Sequence, residues 1–477
     1  MRRISMSICA LLVLVGCGTE GVAVEPTPAS IQPVYTEQVE EIELTQEEKF
    51  RADSIWLVEE MEAAHIVFGL PEEYRIQFLS EDYEQIRDRF LEVAPYSKDL
   101  RDFAFEVERY IAGIGDPHES RHVLFGNNLT DGRVINMEVM ETEAGVIWVN
   151  NERNNPKIIS IGGVEIEEII RTIDEYFVFY NSSARGHGLP FLIRLVDVHE
   201  RVGVSSGARV TVEVEQDGEI IEVEAIYTGF TRRSLPLGWA VQNIEHTYIE
   251  DNIFYIRLHS FDYHQPFHDR TLEAIERAIE EGTRDFIIDL RGNGGGISSV
   301  GLGLLEPMGL VANGMYGGVV RMSPRYRERH LSYLLEHSPE SAGVIALSEM
   351  EDGEILFFGS FGGTPEIEIE NRYGVNLVIL TDSGSISASV GMGAQLQDSG
   401  LATIIGEAGG SAPAGLGVML PDTMPHTGLN IRFAVHFFVR GDDTASERYL
   451  EPDIWVESFY ALDRAVAFLK QGGAYAD

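Results

Sequence analysis

The chain has 477 residues, with 36 Lys and Arg against 77 Asp and Glu and a formal charge of −41. A polyanion of this strength repels phosphate backbones, which argues against a nucleic-acid partner. The length allows a core held by packing alone and corresponds to roughly two to three domains; the acid is spread along the chain as a solvated surface.

Arg2 and Arg3 precede an apolar run from Ile8 to Val15. That run is far shorter than the roughly 20 residues of a membrane-spanning helix, so residues 1–16 read as a secretory signal. The run ends in Leu14-Val15-Gly16-Cys17, which resembles the bacterial lipobox. The resemblance implies cleavage before Cys17 and lipidation of that cysteine, hence an exported protein anchored to the cell membrane, in the cell envelope. An ordinary signal peptide with a chance cysteine is the alternative. The only two cysteines are Cys9 and Cys17. With one removed and one lipidated, no disulfide and no cysteine metal site remains. Residues 17–44 carry Pro26, Pro28, Pro33 and many acids, and read as a flexible tether.

Thr45 and Glu48 have the spacing of a capping box and predict a helix start. Further helices are expected over 81–93 and 98–114, so residues 45–132 form an N-terminal helical lobe. The texture then changes to strands over 146–149, 157–161 and 209–214, with Asp217-Gly218 as a hairpin signal. The run from Ile158 to Ile166, followed by a helix from Glu167, resembles a PDZ-type element. That resemblance implies a peptide-binding β-rich subdomain over 133–230; a purely structural β-subdomain is the alternative.

From residue 231 to the C-terminus strands and helices alternate. Strands are expected over 253–258, 285–290, 377–381 and 401–405, and helices over 271–281 and 386–398, which is an α/β core. The strand ending at Thr381 runs into a turn of small residues, Asp382-Ser383-Gly384-Ser385-Ile386-Ser387, and then into a helix. A serine there is held rigidly beside unpaired backbone N–H groups, the arrangement acyl transfer needs. Taken alone, the segment reads more readily as a serine-rich N-cap. The strand starting at Asp285 ends in Gly294-Gly295-Gly296. Ile297-Ser298 lacks the Lys-Ser/Thr pair of a phosphate loop, and an oxyanion donor fits the glycines better.

The strings DLRGNGGG, SISAS and ATIIGE together resemble the tail-specific protease family, also called C-terminal processing peptidases. The resemblance implies a crotonase-like ββα core, a protein or peptide substrate and no cofactor. It implies Ser387 as nucleophile, with Gly296 and Ala388 as oxyanion donors. The best-known members pair the serine with a lysine, whose place here is taken by Ala412. No lysine lies between Ser387 and Lys470, and a serine without a base is a weak nucleophile.

A second branch of that family, including tricorn-type proteases, uses a histidine in a motif similar to Gly115-Asp116-Pro117-His118. The resemblance implies His118 as general base and acid. It implies a carboxylate before Pro452-Asp453-Ile454 as third member, assigned to Glu447, with Glu451 and Asp116 as alternatives. The expected function is therefore an exported, lipid-anchored serine endopeptidase; the alternative is a catalytically silent homologue that binds peptides or small ligands. His259, His264 and His268 invite a metal reading, but Pro266 disfavours one helix face and no HExxH pattern is present.

Overall fold

The computed structural model describes residues 2–3, 44–117, 119, 122–229, 244–250, 252–262, 265–313, 316–337, 339–359, 368–440 and 449–473. The helical lobe opens with α1 (Gln46–Ala64). Its capping box is complete: Glu48 N donates to Thr45 Oγ1 at 3.3 Å, and Thr45 N donates to Glu48 Oε2 at 2.8 Å. Helices α2 (Tyr83–Val93) and α3 (Leu100–Ile114) follow. Phe50 stacks on Phe103 with ring centroids 4.4 Å apart, and Phe90 stacks on Tyr110 at 4.8 Å. Gly115 ends α3 at φ 74°, and a Cβ there would lie 2.1 Å from the Phe78 carbonyl oxygen. Only glycine fits that position.

The β-rich subdomain is built on β1 (Lys157–Ile161), α4 (Ile166–Tyr176), α5 (Ser182–Arg194), β2 (Arg209–Gln216) and β3 (Glu219–Gly229). β2 and β3 form the expected hairpin. Asp217 and Gly218 at its tip have φ of 54° and 84°, the pair of positive values that a tight hairpin turn requires.

The α/β layer is a six-stranded sheet. Its strands are β4 (Ile244–Ile249), β5 (Ile253–Leu258), β6 (Asp285–Asp289), β9 (Asn376–Thr381), β10 (Ala402–Gly406) and β13 (Ile454–Trp455); β7 (Tyr316–Arg321), β8 (Ile355–Gly359), β11 (Gly415–Thr423) and β12 (Asn430–Arg440) belong to a second sheet. The first sheet runs β13–β10–β9–β6–β5–β4, parallel throughout except for β4. β6 and β9 are almost continuously buried, as parallel strands covered on both faces must be. Helices α6 (Gln265–Glu280) and α7 (Ala388–Asp398) cover one face, through Ile275, Val390 and Met392. Helix α8 (Ala461–Lys470) covers the other, through Ala465 and Phe468.

The second sheet runs antiparallel in the order β8–β7–β12–β11. One apolar cluster joins the helical lobe (Phe103), the β-rich subdomain (Val212) and this sheet (Phe433). Helix α6 starts at Gln265, earlier than expected. Pro266 occupies its second position, where a missing N–H costs nothing, so Pro266 does not interrupt the helix that carries His268. Among the described residues, no helix is long and apolar enough to cross a membrane.

Candidate active site

The C-terminal ends of the parallel strands carry three segments that meet: the glycine cluster after β6, the serine turn after β9 and the 407–411 loop after β10. Such an edge is where open α/β sheets bind ligands. In the serine turn, Ser385 and Ser389 are fully buried, whereas Ser387 is half-buried. Ser385 Oγ donates to Leu290 O at 2.8 Å, and Ser389 Oγ lies 2.8 Å from Ile386 O and 2.9 Å from Asn293 O. Backbone carbonyls thus occupy the outer two hydroxyls and hold the turn shut.

Ser387 itself has φ 57° and ψ −121°. That backbone is strained for any residue with a Cβ, at a cost of about 1–3 kcal/mol, and it persists only where the surroundings over-determine it. Here they do. Ser387 N donates to Ser411 Oγ at 2.7 Å, Gly391 N donates to Ser387 O at 3.0 Å, and Ile386 N donates to Asn293 O at 2.9 Å.

Asn293 anchors the glycine cluster. It is wholly buried; its Nδ2 donates to Leu258 O at 2.9 Å and its Oδ1 accepts from Gly295 N at 2.8 Å. Gly295 (φ 95°) lies directly against the serine, since a Cβ there would sit 2.9 Å from Ser387 Cβ and 3.1 Å from Ala388 N. Gly296 (φ 132°) presses on Phe261, whose carbonyl carbon would be 2.7 Å from an added Cβ. The Gly295 N–H is committed to Asn293. Those of Gly296 and of Ala388, the first residue of α7, donate to no group among the described residues. Two such donors beside a strained serine could receive a developing oxyanion.

Asp382 ties these parts together. Its Oδ1 accepts from Gly292 N at 2.8 Å and Gly384 N at 2.9 Å, and its Oδ2 lies 3.3 Å from Ser458 Oγ. Behind it, Asp289 is buried on β6. Burial alone would raise its carboxyl, but Arg291 and Arg257 outweigh that and hold it below the usual range. Arg291 in turn donates to Ser458 O at 2.5 Å.

His118 and Glu447 lie outside the described residues, as do Cys17 and His264. The residues flanking His118 are firmly placed. Asp116 is buried and accepts from His65 Nε2 at 2.9 Å, while His65 Nδ1 accepts from Val67 N at 3.2 Å, which fixes the tautomer. Glu119 is buried against β12, accepting from Arg432 N at 2.9 Å and Arg432 Nε at 3.1 Å. Burial pushes the Glu119 carboxyl well above its usual range, against the pull of Arg432. His122 is pushed down to about 4 by burial and then by Arg432. Glu451 is exposed. Lys470 is exposed and paired with Glu250 at 2.6 Å. Glu250 precedes β5, so this lysine sits at the opposite end of the strands from Ser387. His268 is buried with Nε2 3.2 Å from Val300 O, and no cluster of three or more His, Cys, Asp or Glu able to hold a metal occurs among the described residues.

Sequence reasoning assigned no role to Asn293, Asp382 or Ser411. Asn293 and Asp382 stood inside the quoted motifs but read there only as turn residues. Ser411 carries no local signal; it precedes Ala412 and meets Ser387 only through the fold.

Residues 252–456 match the sequence profile of peptidase family S41. The match places an S41-type peptidase domain within this chain. It is a serine-type peptidase, and such an enzyme acts on protein or peptide substrates. A search of curated protein sequences returns no match. Among solved structures, the chain is similar to mature CPAF with a TM-score of 0.54 at 12% identity, covering 90% of this chain and 99% of that one. CPAF complexed with lactacystin gives 0.53 at 12% identity, covering 89% and 97%. The photosystem II D1 C-terminal processing protease gives 0.40 at 14% identity, covering 87% and 94%. At these identities the likeness to CPAF is one of fold: a mixed α/β architecture shared with S41 proteases.

Proposed function

We propose that the protein is an exported, lipid-anchored serine endopeptidase in which Ser387 attacks the scissile carbonyl. The observation that carries this reading is the backbone of Ser387: strained, pinned on both sides and pressed against Gly295 at the start of α7. Strain of this kind is kept where chemistry requires a fixed hydroxyl. The Gly296 and Ala388 N–H groups stabilise the oxyanion. His118 takes the serine proton and returns it to the leaving amine, with Glu447 as the acidic partner. The closeness of the flanking Gly115, Asp116 and Glu119 to fixed partners supports a rigid base. The core resembles a crotonase-like ββα unit, and the β-rich subdomain acts as a PDZ-like module presenting an extended peptide or the free C-terminus of a polypeptide. Cys17 anchors the protein to the membrane.

A fluorophosphonate probe tests the chemistry. The wild type should be labelled, and Ser387→Ala and His118→Ala should not. Persistent labelling of Ser387→Ala refutes the nucleophile; persistent labelling of His118→Ala refutes the base. Mass spectrometry of the mature N-terminus tests the anchor: an unmodified protein that starts elsewhere removes it.

A further inference from the structure

The 408–411 loop stands between the nucleophile and the β-rich subdomain. On the nucleophile side, Ser411 Oγ accepts the Ser387 N–H at 2.7 Å, and Gly410 N donates to Ser385 O at 2.8 Å. The packing there is tight. A Cβ on Gly410 would lie 2.0 Å from Ser383 O, and one on Gly409 would lie 2.6 Å from Val390 Cγ2. On the other side the loop's carbonyls are held by the start of α5. Ser183 Oγ donates to Ala408 O at 2.9 Å, and Asn181 Nδ2 donates to Gly409 O at 3.2 Å. Asn181 is buried, and its Oδ1 caps α5 by accepting from Ala184 N at 2.8 Å. One turn further along, His187 Nδ1 approaches Ser383 Oγ at 3.5 Å.

We propose that Asn181 and Ser183 are positioning residues for Ser387. They act through the 408–411 loop, so that the seating of α5 sets the reactivity of the nucleophile. The inference rests on Ser387 being the nucleophile. A residue in a strained conformation stays there only while its restraints are rigid. The Ser411 hydroxyl is one restraint, and it belongs to a loop whose two outward carbonyls are fixed by this helix alone among the described residues. Releasing them lets the loop shift and the Ser387 N–H turn.

The test uses the mature full-length enzyme with three variants. Asn181→Asp keeps the oxygen that caps α5 but removes the donor to Gly409 O. Ser183→Ala removes one hydroxyl, and Ser183→Thr retains it. Asn181→Asp and Ser183→Ala should slow fluorophosphonate acylation and lower kcat on an unfolded peptide by about 10- to 100-fold, the scale of a misplacement of up to 1 Å. KM should stay at its wild-type value in both, the thermal midpoint should stay at its wild-type value in Ser183→Ala, and Ser183→Thr should react like the wild type. A purely structural role would instead lower the midpoint and leave kcat per folded molecule intact. Should Asn181→Asp not fold, Ser183→Ala decides alone, because it leaves the cap untouched. Wild-type acylation in both variants, with labelling lost in Ser387→Ala, overturns the proposal alone. Labelling that survives Ser387→Ala removes the nucleophile, and the proposal with it.

Discussion

Gly295→Ala isolates the contact between the glycine cluster and the serine. Gly295 has φ 95°, and its added Cβ would lie 2.8 Å from Ile386 O and 2.9 Å from Ser387 Cβ. Ordinary van der Waals contact begins near 3.4 Å, so the serine turn must retreat by about half an ångström, a shift of the size that costs catalysis heavily. Two penalties combine: about 1–3 kcal/mol for a Cβ at positive φ, and about 1–3 kcal/mol for overpacking. Gly282 separates them. It has φ 96° and no atom within 4 Å of a built Cβ, so Gly282→Ala incurs the first penalty without the second. Urea unfolding should place Gly295→Ala below Gly282→Ala by about 1–3 kcal/mol. Fluorophosphonate acylation should fall about 10- to 100-fold in Gly295→Ala and remain at the wild-type rate in Gly282→Ala. Equal acylation rates in the two variants would refute the packing of Gly295 on Ser387.

Ser387→Gly should be more stable than Ser387→Ala by about 1 kcal/mol or more in the same unfolding assay, because glycine accepts φ 57° without strain; the reverse order would show that the serine backbone is relaxed. Lys470→Met should acylate at the wild-type rate, since Lys470 is exposed, ion-paired and at the wrong end of the sheet; a large loss would restore a lysine mechanism. Burial lowers His199 and His330 from 6.5 to about 4. The unfolded state therefore binds protons that the folded state refuses. Their contribution is complete above pH 6.5 and is lost as pH falls toward 4, by about 2 kcal/mol per histidine between pH 7 and pH 5. In urea unfolding, His330→Phe should remove its share of that slope; an unchanged slope would mean that His330 is solvated.

Much of the frame was legible in the sequence because local signals agreed with the fold. Thr45 and Glu48 form the capping box, Asp217-Gly218 turns the hairpin, and the strands Lys157–Ile161 and Ile253–Leu258 have the expected bounds. Helix α5 was not legible. It contains Gly186, Gly188 and Pro190, all poor helix formers, and it is stabilised by the Asn181 cap and by docking on Ala408 and Gly409 rather than by propensity. The antiparallel sheet was missed for a related reason. Its inner strand β12 is buried on both sides, so it lacks the alternation that marks a strand with one wet face. At the site, the motif pointed to Ser387, but nothing local distinguished it from Ser385 and Ser389. Their hydroxyls are removed from competition by Leu290 O and Asn293 O, contacts that exist only once β6 lies beside β9. Ser411 was invisible for the same reason: its partner is 24 residues away in sequence.

The pairing of Glu119 with Arg432 bears on how this architecture can be recombined. A buried carboxylate from the N-terminal segment pairs with a partly buried guanidinium from a strand more than three hundred positions later. Grafting the first segment onto another member's scaffold would leave an arginine or a carboxylate there without its counterpart, a defect of about 3–5 kcal/mol. Chimeras of this enzyme should therefore exchange both positions together, and a lineage that alters one would be expected to have altered the other.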